Sequence, residues 1–274
     1  MENYINLKPV KRSSFRSFLG KRIYTYKRYL EWYLKKTNFA SEKKSFYFEN
    51  VIFSHKTPLY RKLKNVDMWL QENKIENLKL AIKEVNSIVI KPGEIFSYWK
   101  TIGKPTYKKG YRDGMILHYG SFKWGAGGGL CQLSNLLYWI TLHSPLTVIE
   151  RHRHSFDVFP DSNRTQPFGS GATCVYNYRD LQIKNQTNDD FQFKLWIDNE
   201  FLHGELLSTN HPRFKYEIYE KSHEIIPQYW GAYVQRNSIH KKTLNLNNDS
   251  EINDEFICEN TALMMYEPLL DCSN

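Results

Sequence analysis

The stretch GAGGGLCQLSNLLYWITLH, residues 125–143, decides how this chain is read. Glycine fills four of its first five positions, and so glycine-rich a run favours a tight turn over a regular element. The apolar residues that follow, Leu130, Leu133, Leu137 and Ile140, recur every three or four positions. That is one face of a helix. Pro145 cannot continue it. The spacing predicts a glycine turn running directly into a helix that ends near His143, with Cys131 in its first turn.

Upstream, Ile75, Leu78, Ile82 and Val85 mark a second helix over 72–86. Ile88-Val89-Ile90 is a short buried strand, stopped by Lys91-Pro92-Gly93. Residues 94–122 carry Gly103, Gly110, Gly114 and Gly120 and read as short strands and turns. Downstream, Leu146 to His152 reads as a strand. Further strand candidates are 172–177, 180–185, 191–198, 201–208 and 213–220, and their short gaps imply antiparallel hairpins. Residues 243–254 read as a polar loop. The class is α+β, with helices in the N-terminal half followed by an antiparallel β-sheet. One domain covers 46–274, behind a basic helix or tail over 1–45.

Composition bounds the rest. Of 274 residues, 41% are hydrophobic and 15% aromatic, enough for a core and too many for a disordered chain. The net charge is +9, and residues 1–45 supply all of it, with 12 Lys/Arg against three acids. There Phe15, Leu19, Ile23, Tyr26, Leu30 and Tyr33 form a helical apolar stripe among Arg16, Lys21, Arg22, Lys27, Arg28, Lys35 and Lys36. Two readings stand for 11–36: contact with an anionic membrane surface, or a helix docked on its own domain with a solvated basic side. No nucleic-acid reader motif accompanies the charge, so nucleic acid is not an expected partner. No apolar leader or run of about 18 apolar residues is visible. The expectation is a cytoplasmic protein, at most peripheral to the membrane. The four cysteines lack disulfide-framework or zinc spacing, so neither a metal nor another cofactor is expected.

Cys131 carries the chemical signal. A helix N-terminus stabilises a thiolate. The backbone around Gly128, Gly129 and Gln132 can hold an oxyanion or ligand. Ser134, Asn135 and Tyr138 share the cysteine's side of the helix. The second cluster is Glu150-Arg151-His152-Arg153-His154-Ser155-Phe156-Asp157. If the strand continues, Glu150, His152 and His154 share a face. His154 is then the candidate base for Cys131, with His152 as alternative. Asp180 is the candidate orienting group, with Asn177, Asn185 and Asp157 as alternatives. Cysteine, histidine, then carboxylate is the chain order of papain-like and transglutaminase-like enzymes. The competing readings are a plain buried cysteine, and a binding module in which Arg151, Arg153 and the glycine loop hold a carboxylate or sugar ligand.

Several linked motifs resemble the VanW family. They are Gly127-Gly128-Gly129-Leu130-Cys131-Gln132-Leu133-Ser134, Glu150 to Ser155, Ala172-Thr173 and Asp180-Leu181-Gln182-Ile183-Lys184-Asn185. Pro92 to Ser97, Gly103 and Lys109-Gly110-Tyr111 fit the same pattern. So do Phe159-Pro160-Asp161, Arg164 and Pro167-Phe168-Gly169. Many relatives have Asp before the Ala-Thr pair. Here the residue is Gly171, so an acid at that position is no part of this chain's mechanism. The resemblance implies a role at the cell envelope or in glycopeptide resistance, with a peptidoglycan peptide or precursor, or another small ligand, as partner. Either a cysteine-dependent peptidase, amidase or acyltransferase, or a non-catalytic binding module, would serve.

Overall fold

The computed structural model describes residues 13–60, 67–118, 121–158 and 166–267. Phe159-Pro160-Asp161, Arg164, Gly120 and the start of the basic segment at 11–12 lie outside these residues.

The elements in chain order are α1 (Ser14–Tyr33), β1 (Asn50–Pro58), α2 (Met68–Val85), β2 (Val89–Ile90), β3 (Ile95–Ser97), α3 (Tyr98–Ile102), β4 (Asp113–His118), β5 (Ser121–Ala126) and α4 (Cys131–Leu142). There follow β6 (Thr147–Glu150), β7 (Phe156–Asp157), β8 (Gln182–Lys184), β9 (Phe191–Ile197), β10 (Phe201–Ser208), β11 (Phe214–Pro227), β12 (Tyr233–Asn245) and β13 (Glu251–Met264). The class is α+β, with most regular residues in strands. No described helix is long and apolar enough to cross a membrane.

Four-stranded sheets run in the orders β1-β10-β9-β2 and β11-β12-β13-β7. Among the described strands β7 pairs in parallel with β13, and a single parallel bridge joins Phe39 to Ile95 of β3. A small sheet β3-β8-β6 and the hairpin β4-β5 complete the set. Helix α4 lies across the first sheet. Leu133, Leu136, Leu137 and Ile140 are fully buried and meet Leu78, Ala81 and Val85 of α2 and Phe193, Leu202 and Leu206 of the sheet in one core. Gly204 in β10 permits this approach, since a Cβ there would stand 2.7 Å from Ile140 Cδ1 and 3.0 Å from Leu136 Cδ2.

Five sequence readings change, the first being that residues 98–102, expected among short strands and turns, form helix α3. The strand expected over 146–152 ends at Glu150, after a register shift against β8. Beyond it the backbone leaves the ladder, and the His152 carbonyl accepts the Thr173 N–H at 2.8 Å. Strand alternation therefore does not place His152 and His154. Residues 172–177 form no strand, because their backbone bonds go to side chains of α4 and to a local bridge between Val175 and Arg179. The expected strand 180–185 shrinks to β8. The polar loop at 243–254 is mostly strand, and Asn245 and Glu251 bound a tight turn between β12 and β13. Residues 251–256 are all exposed, so no buried face marks them.

Candidate functional site

The glycine turn is a mould for the start of α4. Gly127 and Gly129 have φ of +76° and +88°, a region that favours glycine. Gly128 lies backbone to backbone against Gly114 of β4, with no room for a Cβ on either residue. The buried Asn77 of α2 fastens the pair. Its Nδ2 donates to the carbonyls of Gly128 and Arg112, both at 3.0 Å, and its Oδ1 accepts the Arg112 N–H at 2.8 Å. Tyr98 donates its hydroxyl to the Leu130 carbonyl at 2.8 Å. Cys131 is thus presented by α2, α3 and β4 together.

A cavity of about 600 Å³ opens beside it. Its wall includes Gly128, Gly129, Cys131, Gln132, Asn135 and His154, together with Ser170 and Thr173. Met115, Ile116 and Leu117 of β4 add an apolar side. The segment 169–173 is strapped to α4. Ser134 Oγ donates to the Ala172 carbonyl at 2.7 Å, and Asn135 Oδ1 accepts the Ala172 N–H at 2.8 Å. Arg151 ties the same segment from behind, through Nε to the Gly171 carbonyl at 2.8 Å and Nη2 to the Gly169 carbonyl.

Cys131 is half-buried, and its Sγ points to the Cys174 carbonyl at 3.9 Å. Burial pushes its thiol above the ordinary value, and the carbonyl contact offsets this only in part. His154 is lowered to about 4 by burial, reinforced by the Arg179 and Arg153 charges. Both side chains are therefore neutral at pH 7. They share the cavity, and no hydrogen bond joins them.

Asp180 is placed elsewhere. Its fully buried carboxylate accepts Ser97 Oγ at 2.5 Å, Trp99 N–H at 2.9 Å and Leu181 N–H at 3.0 Å, and it does not line the cavity. Burial lifts it to about 6 in spite of the first two bonds. Of the alternatives, Asn185 is held by Ile90, Asp189 and Thr187. Asp157 accepts the Tyr266 hydroxyl at 2.8 Å. Asn177 is buried, with neither side-chain polar atom paired among the described residues.

The remaining candidates divide clearly. The N–H groups of Gly128, Gly129 and Gln132 donate to Gly125, Met115 and Gly129 within the protein. Gln132 Nε2 is spent on Thr57 and Pro58. Arg153 donates to the Thr261 carbonyl and lies over the Phe168 ring. His152 meets Glu150 at 3.0 Å, outside the cavity. Sequence reasoning missed Ser170, which is 5% exposed, lines the cavity, and has a hydroxyl with no partner among the described residues. A serine between two glycines has no periodicity, and only the adjoining Pro167-Phe168-Gly169 turn could have drawn notice.

The model of the family described as VanW like protein matches residues 73–207. The chain is 36% identical over 183 residues to the vancomycin B-type resistance protein VanW of Enterococcus faecalis (strain ATCC 700802 / V583), covering 67% of this chain and 66% of that protein. It is 30% identical over 117 residues to the uncharacterized protein YoaR of Bacillus subtilis (strain 168), covering 43% and 37%. The matches thus span just under two thirds of the first relative and little over a third of the second. No solved structure matches the chain.

Proposed function

The chain belongs to the VanW family, and from that premise we propose that it serves cell-envelope metabolism by holding a peptidoglycan peptide or its precursor in the cavity beside Cys131. The name of the Enterococcus relative attaches that protein to B-type vancomycin resistance, and the proposal carries this setting to the present chain. The single observation behind the reading is the cavity itself, about 600 Å³, with the buried Ser170 hydroxyl, unpartnered among the described residues, on its wall. That volume suits a small ligand, and apolar walls with few polar groups are usual for such sites. A peptide backbone supplies the donors and acceptors that a buried hydroxyl needs.

Calorimetric titration with a soluble disaccharide-pentapeptide tests it. Saturable binding is expected, weakened about tenfold by Ser170→Val, the cost of one hydrogen bond to a buried partner. Absence of saturable heat, or equal affinity of the variant, overturns the proposal.

A second reading, cysteine-dependent acyl transfer, is favoured by Cys131 and His154 lining one cavity. Neutral His154 would take the thiol proton as sulfur attacks a peptide carbonyl. It would then return that proton to the leaving amine, and water or a second amine would release the thioester. This route needs no part for Asp180. Intact-mass spectrometry after incubation with the same muropeptide separates the readings. An acyl adduct lost in Cys131→Ala supports transfer, and an unchanged ligand supports binding alone.

A further inference from the structure

Helix α1 touches the body of the protein with the wrong side for an ordinary docked amphipathic helix. Its anchoring residues are Arg28 and Trp32, 7% and 6% exposed. Arg28 pairs with Glu31 and with Glu150 at the end of β6, and Tyr29 meets Tyr176 at 3.3 Å. The apolar stripe faces away. Phe15 is 74% exposed, Tyr33 71%, and Leu19, Ile23, Tyr26 and Leu30 lie between 48% and 59%. At 100° per residue, the stripe is centred about 150° around the helix from the anchor. At its end the Tyr33 ring meets Lys100 Nζ at 4.8 Å, and the rest of the stripe stays exposed.

The charges around this stripe say what it fits. Arg16 and Lys27 border one edge, and Arg22 the other, where its guanidinium lies over Phe18 at 5.1 Å. Glu31 is the one acid between residues 13 and 41, and it is paired with Arg28. A helix about 30 Å long thus turns a row of aromatic and aliphatic side chains to solvent, edged by cations on both sides. Aromatic and aliphatic groups can sink to the acyl boundary while long basic side chains reach back to phosphate. A nucleic acid would engage the charges but leave the stripe in water.

We infer that α1 is a membrane-surface anchor, which lays the stripe from Phe15 to Tyr33 into a bilayer rich in anionic phospholipid and holds the cavity-bearing body beside that surface through Arg28 and Trp32. This stands on α1 alone and does not depend on what the cavity binds.

Co-sedimentation of the full chain with vesicles tests it, using phosphatidylcholine alone and the same lipid with about one third phosphatidylglycerol. Binding is expected to the anionic vesicles and to fall at least tenfold at high salt, as screening predicts. The triple variant Phe15→Ser/Ile23→Ser/Tyr26→Ser should lose binding about tenfold or more while keeping its melting temperature, because all three side chains are exposed. Charge reversal in Arg16→Glu/Lys27→Glu should weaken binding to anionic vesicles alone. Equal sedimentation with both vesicle types, or an unaffected triple variant, overturns the proposal. So does a lipid-free dimer that the triple variant abolishes with no vesicle binding, or binding to an RNA oligonucleotide in place of vesicles.

Discussion

Gly128→Ala is expected to destabilise the protein by about 3 kcal/mol or more, seen as a large drop in the urea midpoint. A Cβ at Gly128 would fall inside van der Waals contact of the Gly114 carbonyl, and one at Gly114 would meet the Gly128 carbonyl in return. Both obstacles are main chain, so no rotamer change relieves them. The Gly128 carbonyl is also fixed by Asn77 from a fully buried position. Any retreat of the turn breaks that bond and strips the support from the first turn of α4. Gly93→Ala is the control. Gly93 has a left-handed φ of +79°, which Gly128 does not share, and a Cβ there meets nothing within 4 Å. Only the conformational cost of about 1–2 kcal/mol should appear. A Gly128→Ala protein no less stable than Gly93→Ala would refute the close packing of β4 on the glycine turn.

Glu150→Gln is expected to cost about 3 kcal/mol at pH 7, since it leaves Arg28 buried without its full counter-charge. Glu150 accepts from Arg28, from His152 and from the Asp180 N–H. Burial alone would raise its carboxyl, but the bonds from His152 and Arg28 prevail and hold it at about 2. A carboxylate with a depressed folded pKa stabilises above its unfolded value, near 4.3, and loses that contribution as pH falls toward the folded value. The gap between wild type and Glu150→Gln should therefore narrow from about pH 4.5 down to 2. Asp180 acts in the opposite sense. Its folded value is raised to about 6, so its contribution is present below its unfolded value, near 3.9, and is lost as pH rises through 6. The Glu150 charge also helps raise Asp180, so the difference between the two curves reads Glu150 alone below about pH 4. A gap that stays constant to pH 2 would show that the ion pair with Arg28 contributes nothing, leaving Trp32 and Tyr29 to anchor α1.

The parts legible in the sequence are those whose burial is periodic. Leu130, Leu133, Leu137 and Ile140 fix α4 because each meets the core, and β9 and β10 follow closely their expected spans. The stretch from Arg151 to Asp180 carries no periodic signal because its order comes from side chains. Arg151, Ser134 and Asn135 bind its backbone one group at a time, which leaves no repeat to detect. The long hairpins of β11, β12 and β13 leave a weak signal for a different reason. They extend into solvent toward the β12–β13 turn, where even Ile252 and Phe256 stay exposed, so no buried face marks the start of β13. For the site, sequence reasoning brought Cys131 and His154 to one cavity by two routes, one sound and one not. Cys131 follows from the helix start. His154 arrives through irregular backbone rather than strand alternation. Asp180, expected beside them by chain order, serves the junction of β3 and α3 through Ser97 and Trp99. That difference rests on contacts between residues 80 or more positions apart, which no local pattern reports.

The most direct measurement is the rate of Cys131 alkylation by iodoacetamide across pH, followed by peptide mass spectrometry, with and without saturating disaccharide-pentapeptide. The half-buried Cys258 serves as internal reference. A ligand pocket walled by a neutral thiol predicts slow modification at pH 7, a midpoint above the ordinary thiol value of about 8.5, and no change in His154→Ala. It also predicts that the muropeptide protects Cys131 and leaves Cys258 unaffected. Rapid modification of Cys131 near neutrality that depends on His154, or a bound muropeptide that leaves the Cys131 rate untouched, would contradict it.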